Sequence, residues 1–357
     1  LNALTGQRYY YQPSANLGVG GDTVADILAR ITDLAPLNPD IVFWCSTFAN
    51  DITGSTSEQD LKDDFDAIAA YVKNTLGAVL VAGTPLPRNH SGGGALTAPQ
   101  QTLLNNLKSY VLAQTVADGV IPVNIYDNMV ATGTDNPDPI KFDNEGGQLL
   151  HPTPAGAYQI ALDIKSVLEN IYGNYDIPDM STCDLGLNSD LSGTGGTENS
   201  ALASATVADN WNFYSYSGLT GTVDKTGSDK QLIDISYTDS RSYDIWELQA
   251  TDISTGFVEG EEYYMEAEIE VIATSNVRMG VCLEPTLNSS GSYKAMSPYD
   301  INAWPDTFAG TLHLRTPNFT IGASDTNIDP IFWGQMNSVG ITSSDEIIIK
   351  QARFVQN

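Results

Sequence analysis

The stretch IVFWCSTFAND, Ile41–Asp51, decides the fold. Its first four residues, Ile41–Trp44, form a short apolar run that reads as a buried strand, and the polar residues Ser46–Asp51 then carry the chain into a loop. On both sides the apolar period changes to that of a helix. Upstream, Val24, Ile27, Leu28 and Ile31 recur at helical spacing behind Asp22 and Thr23, either of which can cap; downstream, Leu61, Phe65, Ile68 and Val72 do the same. The alternation continues with a strand-like run at Val79–Ala82, a helix marked by Leu104, Leu107 and Val111, a strand at Val120–Ile125 and a last helix marked by Ile160, Ile164, Leu168 and Ile171. This rhythm predicts α/β structure: a doubly wound parallel sheet with helices on both faces.

The chain has 357 residues, too many for one small domain, and its 41% hydrophobic and 17% charged residues suit packed cores. From about Leu185 the composition shifts to Ser, Thr, Gly, Asp and aromatics, with frequent turn signals and no long helical stripe. Gln231–Tyr237, Tyr263–Val271 and Glu346–Phe354 alternate like half-buried strands, so an all-β sandwich is expected there. The domains are accordingly read as 1–176 and 185–357, with 177–184 as a linker and Leu191–Ser200 as a loop.

Forty-four Asp and Glu against 16 Lys and Arg leave a formal charge of −28, which repels phosphate backbones and anionic membranes and excludes nucleic acid as a partner. Such a surface suits salty surroundings, where screening weakens self-repulsion. Cys45, Cys183 and Cys282 are odd in number and far apart, so they give no disulfide framework and no metal site, and buried free thiols are expected. No cofactor is implied. No apolar run approaches the length of a membrane span. The first residue is Leu1 and not Met, so either a leading segment was removed or the sequence starts partway into a longer product.

Three motifs sit where a predicted strand gives way to a loop or helix, the end of an open parallel sheet at which ligands collect: NLGVGGDT (Asn16–Thr23), STFAND (Ser46–Asp51) and HPTPAGAY (His151–Tyr158). Together, over about residues 1–173, they resemble the SGNH or GDSL-type hydrolases, a family of esterases, lipases and carbohydrate deacetylases with a flavodoxin-like fold. The resemblance implies Gly21 and Asn50 as oxyanion-hole donors and His151 as general base, on a loop pinned by a Thr153–Pro154 helix start. Phe48 stands where the family has Gly, and Gln148 where it has its acid; Asp143 or Glu145 could substitute, or the site could run as a Ser-His dyad. Gly21-Asp22-Thr23 lies too close to Asn50 to be the nucleophile block, so Thr23 reads as a helix start. The resemblance therefore puts the nucleophilic Ser upstream of Leu1. It also implies a slot between a strand near Arg8–Tyr11 and Ile41–Trp44, filled by an N-terminal peptide or by a strand from a neighbouring chain in a homo-oligomer. Arg88 and His90 follow a strand end and could line the pocket, although exposed loop residues are the commoner reading; His313 reads as structural.

Residues 185–357 resemble jelly-roll carbohydrate-binding modules. Trp211, Tyr214 and Tyr216, with Phe213, could stack on sugar rings, although alternating aromatics on a strand are commonly core; Trp304 and Trp333 carry the same ambiguity. The expectation is a secreted or virion-surface esterase acting on an acylated polysaccharide, the alternative a non-catalytic adhesion or phage tail component on a degenerate hydrolase scaffold.

Overall fold

The computed structural model describes residues 1, 4–5, 9, 15–89, 95–145, 148–173, 188, 191–199, 202, 205–215, 219–227, 230–238, 244–250, 253–254, 256–275, 277–287, 295–297, 309–316, 318–323, 325–336 and 342–356. Two compact units result, one of Leu1 and Tyr10–Asn174, the other of Asn2–Tyr9 and Tyr175–Asn357. The linker 177–184, His90, Tyr216, Trp304, Cys183 and, Tyr9 apart, the strand expected at Arg8–Tyr11 lie outside the described residues. Tyr9 itself is at a bend.

In the first unit, strands β1 (Ile41–Trp44), β2 (Val79–Gly83) and β3 (Val120–Val123) pair in parallel in chain order. Helices α1 (Val24–Ala29), α2 (Glu58–Asn74) and α3 (Ala98–Leu112) supply Val24, Leu61, Phe65, Ile68, Leu104 and Leu107 to one core with Leu80, Ala82 and Val120. Strand alternation turns Val81, Ile121 and Val123, all buried, to the opposite face. The last helix, α4 (Pro154–Tyr172), packs against β3 and buries Ile160, Ile164 and Leu168. The expected α/β architecture stands. A hairpin not anticipated from sequence precedes α4: β4 (Phe142–Glu145) pairs antiparallel with β5 (Gln148–Pro152).

The C-terminal ends of the three parallel strands are laced together by hydroxyls. Thr47 Oγ1 donates to the Gly83 carbonyl at 2.8 Å, and Thr84 Oγ1 accepts the Ile125 and Tyr126 N–H groups, each at 3.1 Å. Gly83 makes this possible, because a Cβ there would stand 2.5 Å from the Cys45 carbonyl oxygen and 2.9 Å from Ile125 Cδ1. Cys45 is an exposed free thiol, where a buried one was expected.

The second unit is all β. One sheet runs Ala295–Ser297, Val277–Leu287, Asp325–Met336, Asp244–Ala250, Trp211–Ser215, Thr197–Asn199. The other runs Gly310–Arg315, Glu262–Ser275, Thr342–Gln356, Gln231–Thr238, Leu219–Lys225, with Phe319–Thr320 beside Glu262–Ser275. The pairs are antiparallel except Thr197–Asn199 with Trp211–Ser215, which places a short edge strand inside the stretch expected to be a loop. Tyr263, Met265, Ala267, Ile269 and Val271 alternate into the core, and the Tyr263 ring stacks on Phe354 at 5.1 Å.

Their strand-mates Tyr264, Glu266, Glu268 and Glu270 form a polar stripe on the other face. Burial would raise the Glu266 carboxyl, but hydrogen bonding and charge from His313 and Arg353 outweigh it and hold the group below its ordinary value. His313 is buried and pairs with Glu266 at 3.2 Å, the structural role read from sequence.

Replacing Gly83 by Ala should cost about 1–3 kcal/mol of stability in urea denaturation, because backbone and not a flexible side-chain tip meets the new methyl. A loss under about 0.5 kcal/mol, the range of a neutral surface change, would show that the strand ends are not tightly laced.

Candidate functional site

The first two motifs meet at the C-terminal end of the parallel sheet. Gly21 has a φ of 91°, a backbone turn that a side chain would strain, and it directly precedes the start of α1. Thr23 is the N-cap: its Oγ1 accepts the Asp26 N–H at 3.3 Å while the Asp26 carboxylate accepts the Thr23 N–H at 3.0 Å. Arg30 fixes the approach from the other side, bonding the Asp22 carboxylate through Nε at 2.8 Å and the Leu17 carbonyl through Nη1 at 2.6 Å.

Asn50 and Asp51 reach across to this turn. Asn50 Nδ2 donates to the Asp22 carbonyl at 2.8 Å, and the Asp51 carboxylate accepts the Val24 N–H at 3.2 Å. Asp51 is only 3% exposed, and burial pushes its carboxyl above the ordinary value against the lowering effect of the Val24 bond. The two bonds bring the Asn50 carboxamide to the carbonyl of Asp22, the residue that follows Gly21. Asn50 is exposed and has a second amide hydrogen to offer a ligand.

Phe48 explains its own departure from glycine. It sits at a φ of 56°, in the left-handed region where Gly is at home. Its ring is buried against Trp44, 6.1 Å away, and Phe65, 5.7 Å away, so packing offsets the backbone strain. Ser46 Oγ is buried and has no hydrogen-bond partner among the described residues, so this hydroxyl is closed to an incoming ester.

Arg88 corrects an expectation. It is half-buried, not an exposed loop residue, and its Nη1 donates to the Ala49 carbonyl beside Asn50. Burial lowers its guanidinium below the ordinary value. Sequence offered only a hint: Pro85 and Pro87 in TPLPRNH hold the backbone that carries it.

His151 is exposed and lies in β5, in a strand and not the expected loop, two residues before the Thr153 N-cap of α4. Thr153 does pin that start, accepting the Gly156 N–H at 3.2 Å and donating to the Ile140 carbonyl at 2.9 Å. The hairpin register pairs Phe142 with Pro152, then Asn144 with Leu149, then Glu145 with Gln148. Leu150 and His151 thus oppose the single residue Asp143, a bulge. Three positions along a regular strand would put Gln148 and His151 on opposite faces; the extra residue returns them to one face, shared with Asp143. The Gly146–Gly147 dipeptide between two extended runs is the sequence signal that could have found this hairpin. The hydrogen bonds described join the Gly21 and Asn50 motifs; His151 is placed by its own hairpin.

In the second unit, Trp211 is corrected from sugar platform to core. It is 0% exposed, its ring is 5.5 Å from Phe332, and its Nε1 donates to the Asn188 carbonyl at 3.1 Å. Trp333 is buried as well. Tyr214, three positions along the same strand, is half-buried. Among the described residues no cluster of His, Cys, Asp and Glu could hold a metal ion, and no helix is long and apolar enough to cross a membrane.

Residues 1–158 match the sequence model of the GDSL-like lipase/acylhydrolase family. Among solved structures, the chain is similar to a GDSL-like lipase from Bacteroides thetaiotaomicron, with 21% identity over 43% of this chain and 74% of that one and a TM-score of 0.37. It is also similar to the CBM22-1 xylan-binding domain from Paenibacillus barcinonensis, with 8% identity over 49% and 97% and a TM-score of 0.27. A third is the enzymatically active domain of tailspike protein 4 of bacteriophage CBA120, with 9% identity over 42% and 20% and a TM-score of 0.26. No curated protein matches the chain.

Asp51 generates a pH-dependent prediction. A carboxyl whose folded pKa lies above its unfolded value binds more protons in the native state, so stability falls as pH rises between the two values. Asp51→Asn keeps an oxygen for the Val24 N–H and removes the charge. The variant's stability relative to the parent should therefore be more favourable at pH 7 than at pH 3 in parallel denaturation curves; a difference independent of pH would contradict the buried-charge account.

Proposed function

We propose that this protein is an ester hydrolase that removes acyl groups from a polysaccharide, with Gly21 and Asn50 as oxyanion donors and His151 as general base. The observation that carries the reading is the Asn50 Nδ2 bond to the Asp22 carbonyl, which sets a carboxamide beside the Gly21 turn at the ligand-collecting end of the sheet. The family match over residues 1–158 supports the same reading. The serine hydroxyl that the family resemblance implies as nucleophile adds to the ester carbonyl and passes its proton to His151; the carbonyl oxygen, now an anion, accepts from the Gly21 N–H and the free Asn50 N–H. Collapse expels the sugar alcohol, which takes the proton from His151, and water repeats the cycle on the acyl-serine. The β-sandwich holds the polymer. Its sugar contact is assigned to surface aromatics such as Tyr214, not to Trp211.

In the full-length protein, Asn50→Ala should lower kcat for p-nitrophenyl acetate by about 10²–10³. His151→Ala should remove nearly all turnover, leaving the residual catalysis of binding and oxyanion donors. Turnover unchanged in both variants would overturn the assignment and favour a non-catalytic scaffold on a cell or virion surface.

A further inference from the structure

Arg88 is half-buried and pairs with no carboxylate among the described residues. In a chain with 44 Asp and Glu against 16 Lys and Arg, many described cations take carboxylates, as Arg30 does with Asp22, Lys62 with Glu58, Lys108 with Asp127 and Lys165 with Glu169, while Arg315 lies over the Tyr264 ring and the exposed Lys73 bonds the Ala117 carbonyl. Arg88 instead bonds the Ala49 carbonyl through Nη1, and its Nε is buried without a hydrogen-bond partner. Among the described residues it makes no ion pair. A half-buried guanidinium without an opposite charge among the described residues carries a desolvation cost, and a chain so rich in carboxylates could have supplied one.

The position is rigid and lies at the site. Arg88 leaves the end of β2 through Thr84, whose Oγ1 is held by the Ile125 and Tyr126 N–H groups, and through the buried prolines Pro85 and Pro87. The Ala49 carbonyl it binds immediately precedes Asn50. An anion received by Arg88 therefore sits beside whatever the Asn50 carboxamide holds. The planar guanidinium keeps N–H groups unspent, and these match the paired oxygens of a carboxylate.

We infer that Arg88 is the receptor for a carboxylate on the substrate, so that the acylated polymer is built from uronic-acid units and not from neutral sugars. The inference rests on the hydrolase reading for the word substrate, but the anion site itself does not. It adds to the oxyanion donors a residue that selects the sugar.

The test is ¹⁵N NMR of the full chain, following the Asn50 side-chain amide during titration with D-galacturonic acid and with D-galactose. The acid should give a saturable shift at a concentration about tenfold or more below that of galactose. Arg88→Gln should abolish that preference and Arg88→Lys, which keeps the charge, should retain part of it. On esters, the parent should prefer acetylated polygalacturonate to acetylated galactan, and Arg88→Gln should reduce the ratio of kcat/KM values by about tenfold or more. A saturable, Arg88-dependent shift without ester hydrolysis would uphold this site and refute the hydrolase reading. Hydrolysis with no such shift, an equal response to inorganic phosphate, or the same preference in Arg88→Gln would overturn the proposal.

Discussion

A carboxylate sealed from water, Asp51, accepts the first N–H of α1, and the geometry of the first unit's site follows from that bond. Helix starts carry unsatisfied N–H groups and the positive end of the dipole, so an acceptor from another element both caps the helix and fixes where it begins. Here the acceptor is 27 residues away on the loop that follows β1. It ties that loop to the Gly21 turn, and Asn50, its neighbour in sequence, is carried to the Asp22 carbonyl as a consequence. Arg30 and Arg88 then brace the two loops from outside through carbonyls of Leu17 and Ala49. The geometry of the Gly21 and Asn50 loops depends on helix-capping chemistry as much as on the sheet.

Much of this was legible in sequence. The helical stripes at Val24–Ile31 and Leu61–Val72 and the short runs at Ile41–Trp44 and Val79–Ala82 mark their elements because burial selects apolar residues at each element's own period. Thr23 and Thr153 were readable as caps because a hydroxyl before a helix has a local job. The failures share a cause. Whether Arg88 is bare or braced, and whether Trp211 faces sugar or core, depends on partners 39 and 121 residues away, Ala49 and Phe332, which no local window contains. The β4–β5 hairpin is hidden in sequence because FDNE and QLLHP show no regular apolar alternation and only the Gly146–Gly147 pair marks the turn.

The second unit spends its aromatic residues inside. Trp211, Phe213, Trp246 and Phe332 fill the sandwich, with Phe213 stacked on Trp246 at 6.4 Å. The polar stripe of Tyr264, Glu266, Glu268 and Glu270 is neutralised by Arg353 and Lys350, and the Arg315 guanidinium lies 3.8 Å over the Tyr264 ring.

The excess of carboxylates gives the molecule two electrostatic ranges. Beyond a Debye length of about 8–10 Å at moderate salt, any anion senses the net negative charge and is turned away; at contact it would meet the half-buried Arg88 guanidinium. Dissolved salt erases the first effect faster than the second, because a half-buried pair is screened less than a distant field. Encounter with an anion would then be fastest in brine, so the chain's acidity works as a barrier whose height is set by the surrounding medium.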